Sequence, residues 1–315
     1  MEASHATRKT LATQASMVYI IERCTRKELT MASLEDEFGD IIKKARQGQG
    51  LTLDDVIGKT GIPKTTLRAL EGCKQLPTSN EVQAIAPLLS LDPRTLEAIG
   101  REQWQPLDSP GWVAETVETV RGDIGGYEVK GYLLYDSTTK DAVMIDTAYN
   151  AKQMLHHIDT LGLRLQGICL THGHSDHANG IDIIVAAHPT TVHIGHGDMS
   201  MITEYQSLVD IQPSHDGHIL EIGSIDLQFI STPGHTPGGV CYSTGPLCFV
   251  GDTLFAGSIG RSCPWNLYPI HLQSVTEQIL QMDASVILLP GHGPATTVGE
   301  EKRHNPFVTG YAMPS

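Results

Sequence analysis

A run of four potential metal ligands, His172-x-His174-x-Asp176-His177, constrains this chain more than any other feature. Imidazoles crowded into so short a segment repel one another when they are protonated, unless a metal cation lies between them. A histidine-rich surface loop is the alternative interpretation, and it leaves that repulsion uncompensated. The spacing therefore predicts a metal site.

The residues on either side of this run predict how it is held. Residues 165–170 form a short apolar run typical of a buried strand, and residues 178–187 are typical of a helix. The ligands would then occupy a loop that leads from a strand to a helix. Such loops lie at the carboxyl edge of a sheet, where α/β proteins commonly place their sites.

Three further loops carry one candidate ligand each, namely His235, Asp252 and His292. Each candidate follows an apolar, strand-like run and is flanked by Gly or Pro residues that shape a tight turn. A single His between glycines is more often a turn residue than a ligand. The repeated order of a strand followed by His or Asp favours the ligand role for all three.

These candidates together resemble the ligand set of the metallo-β-lactamase-fold hydrolases. Segments 232–238, 251–261 and 290–297 further resemble the glyoxalase II-like branch of that family. The resemblance implies an α+β fold, an αββα sandwich with the site along one edge of its paired sheets. It also implies a first trio of metal ligands (His172, His174 and His235), a second trio (Asp176, His177 and His292), and Asp252 as a bridge between the two ions.

The chemistry of these residue types agrees with a two-metal enzyme. Imidazoles and carboxylates suit divalent ions, with Zn²⁺ as the first expectation and Fe²⁺ or Mn²⁺ also compatible. We expect hydrolysis of a thioester or related ester by a hydroxide that bridges the ions. Asp176 is the candidate catalytic residue, a ligand that would also orient this hydroxide. Asp146 is expected to support a ligand without binding metal.

Departures from the family keep other functions open. The chain continues for only 23 residues after His292, whereas glyoxalase II carries a longer helical region that holds glutathione, so lactoylglutathione is not the expected substrate. The related persulfide dioxygenases share these motifs but use one Fe²⁺, which makes an oxygen-using enzyme the first alternative. A transcription regulator whose metal domain senses a metabolite is the second.

Residues 33–103 predict a small all-α domain ahead of the sandwich, which we place at residues 104–315. Segment 51–72 divides into a short helix, a Gly-centred turn and a second helix, which is helix-turn-helix spacing. The segment resembles the Cro/C1-type (XRE) helix-turn-helix domain, whose second helix enters the major groove of DNA. The resemblance implies DNA contacts by Lys64, Thr65, Thr66 and Arg68.

Charge leaves two interpretations of this helical domain. Residues 33–100 carry eight Lys or Arg against ten Asp or Glu, and the whole chain has a formal net charge of -14. Nonspecific affinity for DNA phosphates needs clustered cations, which this composition does not favour. Lys64 and Arg68 nevertheless contribute to a local positive excess on the second helix. The domain is therefore predicted either to bind DNA or to serve in docking or in formation of a homodimer.

The remaining features predict a cytoplasmic enzyme that acts on a small molecule and has no membrane partner. Residues 1–32 are predicted to be a disordered arm or to precede the natural start of the protein. Their apolar run at residues 17–21 is too short for a membrane span or a signal-peptide core. The six cysteines show no spacing typical of a disulfide framework, which indicates a reducing compartment.

Overall fold

The structure is a computed structural model that describes residues 33–309. The predicted arm, residues 1–32, lies outside the described residues. Residues 34–309 belong to one compact unit. Within residues 33–309, no helix is long and apolar enough to cross a bilayer. All five cysteines of that range are free thiols, and Cys24 lies outside it.

The first part of this unit is helical, as predicted. Its helices are α1 (Phe38–Gly48), α2 (Leu53–Thr60), α3 (Lys64–Glu71), α4 (Ser79–Leu88) and α5 (Pro93–Gly100). The hydroxyl of Thr52 caps α2 by accepting a hydrogen bond from the Asp55 amide, and Gly61 ends this helix with a positive φ of 71°. Two short helices thus flank the Gly-centred turn, and their use in binding DNA stays a prediction.

Two six-stranded sheets follow. The first contains β1 (Val117–Ile124), β2 (Tyr127–Tyr135), β3 (Asp141–Ile145), β4 (Arg164–Cys169), β5 (Thr191–Gly195) and β6 (Ile211–Ser214) in sequential order. The second has the order β12-β11-β10-β9-β8-β7 and contains β7 (Ile219–Ile222), β8 (Ile225–Ser231), β9 (Val240–Thr244), β10 (Leu247–Gly251), β11 (Ile287–Pro290) and β12 (Thr296–Thr297). Strands β3 to β6 are mutually parallel, and β10 is parallel to β11, so their carboxyl ends point the same way.

The remaining helices alternate with these strands. They are α6 (Ala151–Leu161), α7 (Ser175–Ala178), α8 (Ile181–Ala187), α9 (Tyr268–Glu277), α10 (Val298–His304) and α11 (Pro306–Thr309), with short 3-10 segments at Gly111–Glu115, His196–Tyr205, Trp265–Leu267 and Ile279–Gln281. The single helix predicted over residues 178–187 is therefore wrong in its first residues. Gly180 interrupts it with a φ of 91°, at a point where an added Cβ would lie 2.8 Å from the Cβ of Ala151.

Three apolar layers hold the fold together. One joins inward side chains of the two sheets, among them Leu227 and Phe229, which alternate with exposed neighbours along β8. A second joins the first sheet to α6 and α8. The third places Ile41 and Leu96 of the N-terminal helices in one cluster with Leu272 of α9. The sandwich with helices on its outer faces agrees with the predicted fold class.

The segment between the N-terminal helices and the sandwich is also bound to the sandwich. Trp104 stacks on the imidazole of His304 at a ring distance of 4.9 Å. The Leu107 amide donates a hydrogen bond to Glu300 at 2.8 Å. The boundary predicted between residues 103 and 104 stays a prediction, and in the structure the segments on either side of it share one apolar core.

Candidate metal centre

The structure brings the seven predicted ligands to one edge of the sandwich. The loop after β4 and the start of α7 carry four of them, and the loops after β8, β10 and β11 carry one each: His172, His174, Asp176 and His177; His235; Asp252; and His292. Donor atoms lie within 4.8 Å of one another in each of three groups: His172, His174 and His235; His172, Asp176 and His177; and His177, Asp252 and His292.

Asp252 lies between the two trios. Its Oδ2 is 3.6 Å from Nε2 of His235 in the first trio and 3.7 Å from Nε2 of His292 in the second. Its Oδ1 is 3.4 Å from Nε2 of His177. Asp176 completes the second trio, because its Oδ2 is 3.4 Å from Nε2 of His292 and 3.7 Å from Nε2 of His177. The geometry is that of two adjacent ligand sets with one shared carboxylate.

Three polar atoms of this cluster are buried without a hydrogen-bond partner in the described part of the chain. They are Nε2 of His172, Nε2 of His177 and Oδ1 of Asp252. An unsatisfied buried polar group costs about 1–3 kcal/mol, and native proteins rarely retain several of them side by side. Divalent cations between the trios would satisfy all three atoms. The donor set therefore fits metal ions.

The electrostatics of the cluster favour the ligating form of several side chains. Burial and the imidazoles of His177 and His235 lower the pKa of His172 well below its usual value, and burial lowers the pKa of His235 to about 3. Both rings are thus neutral, as a metal ligand must be. Burial opposes the charged form of Asp252, but His292 and His177 outweigh it and hold the pKa of this carboxyl well below its usual range.

The acidic side chains of the cluster change the pKa of His292. Burial acts against protonation of its ring, but the carboxylates of Asp252 and Asp176 outweigh that effect and raise the pKa of His292 to about 9. A protonated His292 would then supply positive charge that faces the carboxylates, as would a protonated His177, whose pKa Asp146 and Asp252 raise well above its usual value. A divalent cation would take over that function and release the proton.

A second layer of hydrogen bonds orients the rings. Oδ2 of Asp146 accepts a hydrogen bond from Nδ1 of His177 at 2.8 Å, and Oδ1 accepts one from the Thr171 amide at 2.7 Å. Nδ1 of His235 donates to the Arg261 carbonyl at 2.7 Å, and Nδ1 of His292 donates to a backbone carbonyl at 2.5 Å. These bonds leave Nε2 of each ring for a metal ion. Asp146 thus has the supporting position that its sequence context predicted.

One residue that organises the site gave no signal in the sequence. Asp198 is fully buried, and its carboxylate accepts hydrogen bonds from the Gly173 amide at 3.0 Å, the Thr236 hydroxyl at 2.6 Å and the Gly238 amide at 2.7 Å. It therefore ties the loop of the first ligand run to the loop of His235. A lone Asp in a 3-10 segment carries no pattern that would identify this role.

Gly291 explains why a glycine precedes His292. A Cβ at this position would lie 2.5 Å from Cε1 of His177 and 2.6 Å from Oδ1 of Asp252, closer than side-chain atoms approach. The loop therefore passes directly against the ligands of the second trio, and only a residue without a side chain fits there.

The predicted DNA contacts lie elsewhere, on helix α3. Lys64, Thr65 and Arg68 are exposed, and Thr66 is half-buried. Nζ of Lys64 forms an exposed ion pair with Asp54 at 2.8 Å. These side chains line one helix, and the structure adds no converging group that would identify a ligand for them.

Comparison with known proteins agrees with this architecture. The chain belongs to the Metallo-beta-lactamase superfamily, whose profile matches residues 125–292 and so leaves out helices α1 to α5. Hydroxyacylglutathione hydrolase GloC of Haemophilus influenzae is 30% identical over 199 residues, which are 56% of this chain and 91% of that protein. Persulfide dioxygenase ETHE1 of Bos taurus is 30% identical over 190 residues, 56% of this chain and 70% of that protein.

Solved structures show the same fold. The crystal structure of TTHA1623 in a di-iron-bound form superposes with a TM-score of 0.51 at 28% identity, and the match covers 60% of this chain and 99% of that chain. The similarity and the clustered His and Asp donors together agree with a metal-binding edge of this superfamily.

Proposed function

We propose that this chain is a metal-dependent hydrolase of a thioester or related ester. The observation that carries the proposal is the position of the Asp252 carboxylate, which faces imidazoles of both trios at 3.4–3.7 Å. Its own Oδ1 and the Nε2 atoms of His172 and His177 are buried without a hydrogen-bond partner among residues 33–309. Two adjacent ligand sets with a shared carboxylate suit a two-metal hydrolytic site. The similarity to a hydroxyacylglutathione hydrolase supports a thioester as the substrate class.

Each group of residues at such a site has its own proposed role. Two divalent ions, when bound, supply an acidified water and a polarised substrate carbonyl. The first trio would hold one ion and the second trio the other, with the Asp252 carboxylate available to both. Asp176 has the most exposed side chain among the carboxylates of the cluster, at 22%, and we assign to it the role of accepting a hydrogen bond from the attacking water. A thiolate leaves without prior protonation, so a thioester requires no general acid.

Zn²⁺ is the first metal that we propose, and iron is the second. The donors are imidazoles and carboxylates, which suit zinc, iron and manganese alike. Iron gains support from the similar protein TTHA1623, which is described in a di-iron form.

A persulfide dioxygenase is the second candidate function. The bovine enzyme of that name is as similar to this chain in identity, at 30%, as the hydrolase from Haemophilus influenzae. An oxygenase of this kind would need one iron ion, so metal stoichiometry separates it from the two-metal hydrolase.

Metal analysis combined with two activity assays tests the proposal. The purified full chain is assayed for metal ions per chain, for hydrolysis of acyl thioesters, and for O₂ consumption with glutathione persulfide. Two ions per chain with thioester hydrolysis support the hydrolase. One iron with O₂ consumption overturns it in favour of the dioxygenase. Two ions with neither activity also overturn it, and sequence-specific DNA binding altered by a small ligand, without turnover, would then favour a metabolite-sensing regulator.

For the helical segment we keep the proposal of a DNA-binding module, with a role in docking or dimerisation as the alternative. It rests on the helix-turn-helix resemblance and on the exposed Lys64 and Arg68 of α3.

A further inference from the structure

The segment ahead of helix α1 packs against the loops of the metal centre. Gly293 follows the predicted ligand His292 and has a φ of 69°. A Cβ added to Gly293 would lie 2.9 Å from the Cβ of Glu35 and 3.0 Å from its backbone nitrogen. The backbone of Glu35 therefore lies directly on the loop that carries a ligand of the second trio.

Two neighbours of Glu35 hold this segment in place. The buried carboxylate of Asp36 accepts hydrogen bonds from the Lys44 ammonium and from the hydroxyl of Ser258, in the loop after Asp252. Nζ of Lys44 also donates to the carbonyl of Ile259 at 2.9 Å. A charged pair with this degree of burial, fixed by hydrogen bonds on both partners, keeps its geometry. The position of Glu35 beside the metal centre is therefore well defined.

Aromatic contacts extend the same junction to the ligands. The Lys44 ammonium lies over the ring of Phe255 at 5.0 Å. The Phe255 ring meets the His292 imidazole edge to face at a centroid distance of 5.8 Å. The N-terminal helices thus form part of the wall of the metal centre.

Glu35 is the charged group of this wall that lacks a partner. Its side chain is half-buried, and its carboxylate makes no hydrogen bond or ion pair with any residue of the described range 33–309. Burial raises the pKa of Glu35, the charges of His292, Asp36, Lys44 and Asp252 act on its carboxyl group, and this carboxyl group also acts on the ammonium of Lys130. The nearby ammonium groups are engaged, since Lys44 pairs with Asp36 and Lys130 donates to the Gly293 carbonyl. A bound cation would compensate the charge of Glu35.

We propose that Glu35 is a specificity residue of the metal centre, which favours substrates whose thiol leaving group carries an ammonium and disfavours those that carry a carboxylate. This inference rests on the proposed thioester hydrolysis. An interaction between two partly exposed charges several ångströms apart changes a binding constant by about threefold. Attraction of the cationic thiol and repulsion of the anionic thiol together are therefore expected to give about a tenfold preference for the cationic thiol.

A binding measurement tests the inference without turnover. The Co²⁺-loaded full chain is titrated with 2-aminoethanethiol, 2-mercaptoethanol and mercaptoacetate, and the thiolate-to-cobalt absorption band reports each dissociation constant. The wild type should bind the cationic thiol about tenfold more tightly than the anionic one, and Glu35→Gln should abolish this ratio. Glu115→Gln, which removes an exposed carboxylate, is the matched control. Equal ratios in the wild type and in Glu35→Gln would overturn the inference.

A kinetic measurement separates this inference from the proposed function. Thioesters with one acyl group and the same three leaving groups are compared at equal metal content. Glu35→Gln should raise KM for the cationic thioester relative to KM for the neutral one, and should lower KM for the anionic thioester relative to the neutral one. Hydrolysis of all three with no dependence on Glu35 overturns the role of Glu35 and retains the hydrolase. No hydrolysis, together with a Glu35-dependent thiol preference, overturns the hydrolase and retains the role of Glu35.

Discussion

The edge of the sandwich that carries the seven predicted ligands, here called the metal edge, and helix α3 differ in how the structure arranges their predicted functional residues. At the metal edge, side chains from the ends of four strands converge, and most of them are buried. On α3, the predicted DNA contacts lie along a single helix and most of them face solvent. Convergence of distant, buried donors restricts what can bind, whereas exposed side chains of one helix are compatible with many partners.

The energetic difference between the two regions points the same way. Three unsatisfied buried atoms at the metal edge cost about 1–3 kcal/mol each until a cation binds. Helix α3 carries no comparable cost, because Lys64 is exposed and already pairs with Asp54, and an exposed pair of this kind is worth about 0–1 kcal/mol. Of these two regions, it is the metal edge that has an energetic requirement for a ligand.

Removal of the shared carboxylate should have the largest effect. We expect Asp252→Ala to lose at least the ion of the second trio and to lower turnover by about a thousandfold or more, since both ligand sets depend on this side chain. Metal analysis and initial rates measure the change, and circular dichroism checks the fold. Asp226→Ala, an exposed carboxylate on β8, is the control. Full activity of Asp252→Ala would refute the two-metal mechanism.

The buried imidazole of His271 should make stability depend on pH. Burial lowers the pKa of His271 to about 4 from its ordinary 6.5, while the unfolded chain protonates this ring below about pH 6.5. The contribution to stability is therefore present above pH 6.5 and is lost as the pH falls towards 4, by about 3 kcal/mol in total. Urea unfolding of the metal-free protein at pH 7.5 and pH 5 measures this loss.

Two variants isolate the contribution of His271. In His271→Gln the loss of stability between these pH values should be smaller, because the titrating ring is gone. His215→Gln, which replaces an exposed imidazole, should behave as the wild type. The same pH dependence in both variants would contradict the assignment to His271.

The supporting carboxylate of Asp146 should matter less than a ligand. Asp146→Asn removes the charge that orients His177 through its Nδ1, and loss of such a partner typically weakens metal binding about 10- to 100-fold. Competition with a chelator measures the affinity. Asp226→Asn provides a control with the same chemical change. An unaltered metal affinity in Asp146→Asn would show that the backbone alone orients the ring.

Substitutions on helix α3 are expected to have the smallest effect. Specific DNA binding by this helix would remove the contrast with the metal edge. If this helix binds DNA, Lys64→Ala combined with Arg68→Ala should weaken binding about tenfold and reduce its salt dependence, with metal content and turnover unchanged. Fluorescence anisotropy with duplex DNA measures this, and Lys152→Ala, an exposed lysine on α6, is the control. A wild type that binds no DNA would refute the prediction and leave docking or dimerisation as the function of α3.

The sequence predicted the strands and loops correctly where local residue chemistry determines them. The apolar runs before His172, His235, Asp252 and His292 are strands, because short buried runs bounded by turn residues have few other solutions. The break at Gly180 was not predicted, since the helical composition of its neighbours conceals a close approach to another helix. Asp198 was missed for the same reason, because its three hydrogen-bond donors lie in loops distant along the chain.

The sequence by itself determined which side chains can hold a metal ion and on which strand ends they lie, because residue chemistry and strand periodicity are local properties of a chain. Only the tertiary structure decided that Asp252 faces both trios, that Asp198 ties two ligand loops together, and that the N-terminal helices bring Glu35 to the wall of the metal centre. The physical reason is that these contacts join segments far apart in sequence. Their proximity depends on the packing of two sheets and their helices, which no local pattern records.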